Sequence, residues 1–391
     1  MTEKISSKSL HVLFTGLVTR GMVSGGDQLF LDIAPRLPKT LKIVVITPEF
    51  GRELWKGREQ DNIEFRLLKP NPFDHKDNPV WIFLSYLVRS WQVYRLLGKE
   101  ELEVMYSCSD IAYADIWPAF FRQKEGISWL TRIYHVLLPP QKRQGNTFTN
   151  IVAFYLQRIS FWMMKSRSTK ILALNRKLYD EVAQLDFPKT KLGILGAGID
   201  FNYIHNFRPT KKYDYDAVVL GRLAPVKGIF DMVKIWSIVH QRNPNWKLAW
   251  IGGGAESVQN KVTDLVKENN LETTFKLLGF LDKHEVYNIL KSAKVFLCPD
   301  HENGWGLAVC EAMSAGLPVV SYNIDIFGGV YKKGFISTPL FETHTFATEL
   351  IRVLEDKPIR DELAQKAVEQ AKEFDHEKVI NDLLHFLQVE K

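Results

Sequence analysis

The residues best suited to chemistry fall in three short segments of the second half of the chain. In Val218-Val219-Leu220-Gly221-Arg222-Leu223-Ala224-Pro225-Val226-Lys227-Gly228 an apolar run ends at Gly221-Arg222, and Lys227-Gly228 follows where a helix should open. Two cations beside helix N–H groups at a strand's carboxyl end form a cradle for a diphosphate, Arg222 as a bidentate fork and Lys227 as a point charge. An ordinary βα turn with an Arg and a Lys on its surface would carry the same letters. The second segment is Trp250-Ile251-Gly252-Gly253-Gly254-Ala255-Glu256. Its glycines let backbone come close to a ligand, or simply make a tight turn. The third runs Pro299-Asp300-His301-Glu302-Asn303-Gly304-Trp305-Gly306-Leu307-Ala308-Val309-Cys310-Glu311. Backbone N–H groups of such a glycine-bracketed loop could bind sugar hydroxyls or phosphate. Glu311, in the first turns of the helix that follows, could reach a ribose diol or merely complement the helix dipole.

Positioning these segments requires strands that end where helices begin. Strand-like runs at His11–Thr15, Lys42–Thr47, Ile63–Leu67, Val104–Ser107, Leu130–Tyr134 and Lys170–Leu174 alternate with helical patterns, notably Val80–Leu97, Ile111–Arg122 and Ile151–Met164. After a polar, basic stretch around Phe201–Tyr215 the alternation restarts with strands at Asp216–Leu220, Lys247–Ile251, Thr274–Leu278, Ala293–Cys298 and Pro318–Ser321. Helices are expected between them at Ile229–His240, Val258–Glu268, Lys283–Ser292 and Leu307–Ala315, with helical periodicity from Thr343 onward. This predicts two parallel, doubly wound α/β sheets. The expected divisions are residues 1–205, residues 206–375 and a terminal helix at 376–391 packing back on the first domain. A length of 391 residues suits two domains.

Composition narrows the setting. The chain is 46% apolar and 25% charged, as in soluble globular proteins. Its three cysteines, Cys108, Cys298 and Cys310, show no metal-ligand spacing, which points to a reducing compartment and excludes a disulfide framework. The start has neither a secretory pattern nor a long apolar span, so a cytoplasmic location is expected. Of 51 basic and 45 acidic residues, 28 and 20 lie in residues 1–200, so the positive excess belongs to the first half. An anionic partner or an ordinary solvated surface would both account for it. No reader motif accompanies the charge, so nucleic acid is not an expected partner.

Taken together, Gly221-Arg222-Leu223 with Lys227-Gly228, the Gly252–Gly254 turn, and Gly304-Trp305-Gly306-Leu307 leading to Glu311-Ala312-Met313-Ser314-Ala315-Gly316-Leu317-Pro318-Val319 resemble glycosyltransferase family 4, the retaining group 1 glycosyl transferases. The likeness covers nearly all of the second domain. In the first domain it rests on Gly25-Gly26 before a helix, His135 after a strand, and Gly196-Ala197-Gly198-Ile199-Asp200. The resemblance implies the GT-B fold, two Rossmann-like domains facing a central cleft. It also implies metal-independent transfer of a hexose, with retention, from a nucleotide-sugar to a glycan or lipid-linked acceptor, the nucleotide-sugar being a substrate and no cofactor being needed. By the same resemblance Arg222 and Lys227 hold the donor diphosphate and Glu311 the ribose, and His135 lies near the donor sugar. Gly25, Gly26, Gly252, Gly253, Glu302, Gly304, Trp305, Gly306 and Leu307 belong to the donor surroundings. A first glutamate is expected eight positions before Glu311, and Asn303 stands there, with Glu302 one place early. Asn303 would keep hydrogen bonding without charge, or a loop shift would bring Glu302 in.

Other readings stay open beside this one. A nucleotide-sugar 2-epimerase shares the architecture, and a non-catalytic homologue that binds nucleotide or glycan would fit the change at position 303. Asp214-Tyr215-Asp216 spells a metal-binding Asp-x-Asp but lacks its context, and Asp300 and His301 read as loop residues near the donor. Finally, Val152–Lys170 carries Phe154, Tyr155, Phe161 and Trp162 followed by Lys165, Arg167 and Lys170. A helix of this kind lies on an anionic membrane surface, or buries one side and solvates its cations. The same half also has the basic pair Lys142-Arg143.

Overall fold

The computed structural model describes residues 9–17, 25–74, 79–110, 112–142 and 147–387, which form two units. Gly21 and Arg143 lie outside the described residues. In the first unit the elements are β1 (Ser9–Leu13), α1 (Gly25–Ile33), β2 (Lys42–Pro48), β3 (Ile63–Leu68), α2 (Pro79–Leu97), β4 (Val104–Ser107), α3 (Trp117–Arg122), β5 (Ser128–Ile133), α4 (Thr147–Arg167), β6 (Lys170–Ala173), α5 (Arg176–Ala183) and β7 (Leu192–Ile194). The seven strands are parallel in the order β3-β2-β1-β4-β5-β6-β7. β-Branched runs such as Ile43-Val44-Val45-Ile46 are buried on both faces, as a strand covered by helices on either side requires.

The second unit contains α6 (Phe201–Asn206), β8 (Ala217–Leu220), α7 (Ile229–Arg242), β9 (Leu248–Ile251), α8 (Glu256–Glu268), β10 (Phe275–Gly279), α9 (Lys283–Ser292), β11 (Val295–Cys298), α10 (Leu307–Ser314), β12 (Val319–Tyr322), α11 (Asp325–Val330), β13 (Phe335–Thr338), α12 (Thr343–Glu355) and α13 (Lys357–Ala371). Its parallel sheet runs β10-β9-β8-β11-β12-β13. Each face of that sheet covers its own core, one around Trp236, Trp250 and Tyr322, the other around Phe296, Met313 and Phe327. The short strands β7 and β13 were not anticipated: Leu192-Gly193-Ile194 is broken by a glycine, and Phe335-Ile336-Ser337-Thr338 has only two apolar residues and is half-exposed.

Division of the chain falls at Gly196/Ala197, earlier than the expected 205/206. Ile199, Phe201 and Ile204 are buried in the second unit's core, and the Ile199 N–H donates to Phe374 O at 2.9 Å. The polar stretch near residue 210 is not a linker. The Thr210 N–H donates to Asn288 Oδ1 at 2.9 Å, so its backbone is satisfied by a buried side chain rather than by apolar packing. From Val379 the chain returns to the first unit in a final helix, α14 (His376–Leu387). Val379, Ile380 and Leu383 are buried there beside Leu10, Phe30 and Leu195. Among the described residues, no helix is long and apolar enough to cross a membrane.

Candidate functional site

In the second unit, strand order reverses between β8 and β11, so the loops leaving these two strands part in opposite directions and open a crevice at their carboxyl ends. A cavity of about 180 Å³ lies there, lined by Gly221, Lys227, Asp300, Asn303, Gly306 and Leu307 together with residues of β8 and β11. Gly221 and Lys227 of the first segment and Asn303, Gly306 and Leu307 of the third thus line one cavity, whereas Arg222, Glu302, Gly304, Trp305 and Glu311 do not.

Charge in this crevice is organised around Asp300. Lys227 Nζ lies 2.5 Å from Asp300 Oδ2 and donates to Glu302 O at 3.5 Å, and Asn303 Nδ2 donates to the same Asp300 oxygen at 2.6 Å. Asn303 Oδ1 in turn accepts from the Trp305 N–H at 3.2 Å, closing the loop. Burial pushes the Asp300 carboxyl up, and Lys227 and Asn303 pull it the other way. Arg222, next in sequence to the cavity-lining Gly221, is exposed and has no hydrogen bond or ion pair among the described residues. Helices α7 and α10 both begin at left-handed glycines, Gly228 and Gly306, with no side-chain cap. Their first-turn N–H groups therefore add positive potential at the strand ends. A free guanidinium, an anchored ammonium and two uncapped helix starts together suit an anionic ligand.

The glycines act mainly by packing protein on protein. A Cβ on Gly228 (φ +69°) would collide with the Pro299 carbonyl oxygen, so the β8–α7 turn can lie against the end of β11 only without a side chain. Gly252 (φ +136°) is pressed in the same way against Gly221 O, and its N–H donates to Gly279 O at 2.8 Å. That N–H is therefore used within the sheet, and close approach to a ligand is not what Gly252 is for. Gly253 accepts from the Leu223 N–H at 2.8 Å, and a Cβ there would meet only Phe280 at 3.6 Å. Neither lines the cavity.

Within the third segment the side chains diverge. Glu302 is exposed and does not line the cavity, whereas Asn303 does. In this structure the Glu302 carboxylate lies outside the cavity lining; the carboxylate on Asn303 and Lys227 is Asp300, which sequence reasoning read as a loop residue near the donor. Its signal was present as a single acid at the end of a buried strand. Trp305 turns toward the core and meets Phe374 edge-on at 5.7 Å. Tyr331 OH bonds the Trp305 and Gly306 carbonyls at 2.9 Å each and so fixes the turn from below. Gly304 is exposed beside Asn303, and Glu311 accepts from Tyr287 OH at 3.5 Å outside the cavity lining. His301 Nε2 sits 2.9 Å from Asp231 Oδ2 on α7, tying the loop after β11 to that helix. In the Asp-x-Asp pair, Asp214 meets Lys247 at 2.5 Å and Asp216 meets Lys294 at 2.7 Å.

The remaining predicted residues lie in the first unit. His135 follows β5 and is exposed, with Nδ1 4.0 Å from Asp110 Oδ2. Burial pushes the Asp110 carboxyl up while His135 pulls it down. The His135 backbone carbonyl accepts from Gln157 Nε2 at 2.9 Å, which holds the turn against α4. Gly25 and Gly26 are the first two residues of α1 rather than part of a loop preceding it.

Residues 200–374 match the protein family described as Glycosyl transferases group 1. A poly(glycerol-phosphate) alpha-glucosyltransferase of Bacillus subtilis (strain 168) is 32% identical over 117 residues, 30% of this chain and 16% of that protein. A UDP-Gal:alpha-D-GlcNAc-diphosphoundecaprenol alpha-1,3-galactosyltransferase of Escherichia coli is 28% identical over 286 residues, covering 68% of this chain and 70% of that one. The chain spans only 28% to 50% of the length of several other curated relatives that it matches. Among solved structures, Anabaena HepE in complex with UDP and glucose is similar with a TM-score of 0.75 at 16% identity, over 97% of this chain and 99% of that chain. This last likeness is one of fold, and it bears out the GT-B expectation.

Proposed function

We propose, from the premise that residues 200–374 form a domain of the Glycosyl transferases group 1 family, that this chain is a glycosyltransferase using a nucleotide-diphosphate-sugar donor. The observation that carries the reading is the cavity at the β8/β11 switch point, with Lys227 anchored on Asp300 and Arg222 left uncommitted beside it. As the nucleoside diphosphate leaves, negative charge grows on its oxygens. Arg222, Lys227 and the first-turn N–H groups of α7 and α10 stabilise that charge from fixed positions, without a metal ion in the reading we favour. Glu311 holds the ribose, and His135 of the first unit acts at the donor sugar. The binding pair of the family-4 pattern is modified: Asn303 offers an amide to the sugar hydroxyls, and Asp300 supplies the carboxylate that orients both Asn303 and Lys227. No carboxylate nucleophile stands in the cavity apart from the paired Asp300, which agrees with retention by attack from the leaving-group face.

A glycan or lipid-linked acceptor fits the activities for which the relatives are named, among them the galactosyltransferase acting on a diphosphoundecaprenol-linked sugar. The three described cysteines are buried and unpaired, in keeping with a cytoplasmic setting. The test is a screen of common nucleotide-sugars against the purified chain in EDTA, following nucleoside diphosphate release and heat stability. One donor should both stabilise the protein and be turned over slowly, and Arg222→Ala should remove both effects. Stabilisation with no release across a broad acceptor panel would instead make the chain a binding homologue. Absence of any donor effect would sink the proposal at its strongest point.

A further inference from the structure

Helices α2, α3 and α4 of the first unit expose an apolar face on the protein surface. On α4, Phe148, Ile151, Tyr155, Ile159 and Trp162 recur at helical spacing and are 39–73% exposed. Trp91 of α2 and Phe121 of α3 are 61% and 56% exposed. The rings run on from helix to helix: Trp91 stacks on Tyr94 at 5.9 Å, Tyr94 meets Phe121 at 6.5 Å, Phe121 meets Phe120 at 5.2 Å, and Phe120 meets Trp162 at 5.5 Å. Single exposed apolar residues need no explanation, but a contiguous aromatic face does.

Charge identifies what covers it. Helices α2, α3 and α4, of 19, 6 and 21 residues, contain no Asp or Glu. Their cations border the rings instead. Arg122 lies 3.8 Å from the Tyr94 centroid, Arg158 4.7 Å from Phe154 and Arg167 4.6 Å from Phe120, while Arg95 is exposed beside Trp91 and Lys165 follows Trp162. A protein partner would generally be met by both signs of charge. A surface of Trp, Tyr and Phe on three helices whose only charged residues are Arg and Lys has the chemistry of the interface of an anionic bilayer, where aromatic rings sit at headgroup depth and cations meet lipid phosphates. No described helix can span a bilayer, so attachment here is by lying on the surface.

We propose that the α2–α3–α4 face is a membrane-binding surface that partitions onto anionic phospholipid, with Trp91, Phe121, Tyr155 and Trp162 entering the interface. This narrows the sequence-level expectation from one helix to a three-helix surface. It stands independently of the sugar-transfer reading, because partitioning needs no donor. Each basic residue near an anionic surface is worth about a fivefold change in partitioning, so several acting together make the binding steeply dependent on salt and lipid charge.

The test uses the full chain with vesicles of pure phosphatidylcholine and of phosphatidylcholine with phosphatidylglycerol, read by co-sedimentation and tryptophan emission. Binding to the anionic vesicles should exceed binding to neutral ones at least tenfold, with a blue shift, and should weaken with salt. Trp91→Ser with Trp162→Ser should lower it about tenfold or more, and Arg95→Glu with Arg158→Glu should do the same, with melting temperatures within a few degrees of the parent. The proposal is overturned if the parent does not bind anionic vesicles, or if the folded tryptophan variant binds as well as the parent. It is equally overturned if the parent is a dimer in solution that the tryptophan variant dissociates, since the face would then be covered by a second copy.

Discussion

The two sheets share one strand order up to their sixth strand, and each reverses direction at an equivalent point, β1/β4 in the first unit and β8/β11 in the second. At β8/β11 the loops leave a cavity of about 180 Å³ edged by Lys227 and Asn303. At β1/β4 the described residues form a hydrogen-bonded network around Asp115. Asp115, fully buried, accepts from the Thr15 and Ser109 N–H groups at 3.1 Å each and from the Ser109 hydroxyl at 2.8 Å. Arg89 and Tyr86 of α2 then clamp the chain after β1, with Arg89 Nη1 donating to Thr15 O at 3.2 Å and Tyr86 OH to Gly16 O at 2.7 Å. Topology makes the crevice, and side chains decide whether it is a site. In one an acid is ringed by the N–H groups and hydroxyls of Thr15 and Ser109, whereas in the other an acid tethers a lysine at the rim of a cavity.

That contrast can be broken most severely at Arg222. Arg222→Ala removes the uncommitted cation without touching the fold, and turnover should fall about a hundredfold to thousandfold at unchanged melting temperature. A loss below threefold in steady-state rate would show that the open crevice does not hold the reacting charge. Next in size, Gly228→Ala should cost about 3 kcal/mol of unfolding free energy, since a side chain at φ +69° meets the Pro299 carbonyl. Gly221→Ala, where an added Cβ meets nothing within 4 Å, should stay within about 0.5 kcal/mol by denaturant titration.

Asp300→Asn sharpens the comparison at the tether itself. Losing the charge that positions Lys227 should raise the donor KM about tenfold, a change of about 1.4 kcal/mol. Glu302→Gln, altering an exposed side chain, should leave KM within about twofold; the opposite ranking would restore Glu302 as the functional acid. The smallest effect is expected at the β1/β4 crevice. Burial pushes the Asp115 carboxyl up to about 7 from the ordinary 3.8. Between those values the folded chain keeps a proton that the unfolded chain has released, so stability declines as pH rises through the window. Asp115→Asn, which has no proton to lose, should flatten that decline by an amount on the order of 1 kcal/mol between pH 5 and 7, seen in denaturant midpoints. A parent whose midpoint rises over that range would contradict it.

Much of the molecule was legible from residue order. The spans of β4 and α9 coincide with their sequence readings, and most other elements agree to within a few residues, because runs such as Val104–Ser107 and Lys283–Ser292 carry clean periods of two and 3.6. Arg222, Lys227 and Asn303 were legible as well, since cations and a polar loop at the carboxyl ends of strands are a local pattern. Sequence order could not show which acid faces the cavity. Asp300 and Glu302 are two residues apart in one loop, and only the packing of Gly228 on Pro299 and the turn that Asn303 and Tyr331 hold bring the Asp300 carboxylate onto Lys227. The domain boundary was misplaced for a related reason, a polar segment being satisfied by Asn288 from 78 positions away.

The sequence by itself determined two alternating α/β halves and the cations at one strand-end crevice, because helical and strand periods, and glycines at turns, are properties of neighbouring residues. The tertiary structure alone decided that Asp300 tethers Lys227 at the rim of one crevice and that Asp115 gathers donors from distant segments at the other. It also decided that Gly252 serves the sheet rather than a ligand and that three separate helices join their aromatic residues into one surface. Each of these depends on contacts between residues distant in the chain, where close packing leaves room for one arrangement of side chains and not another.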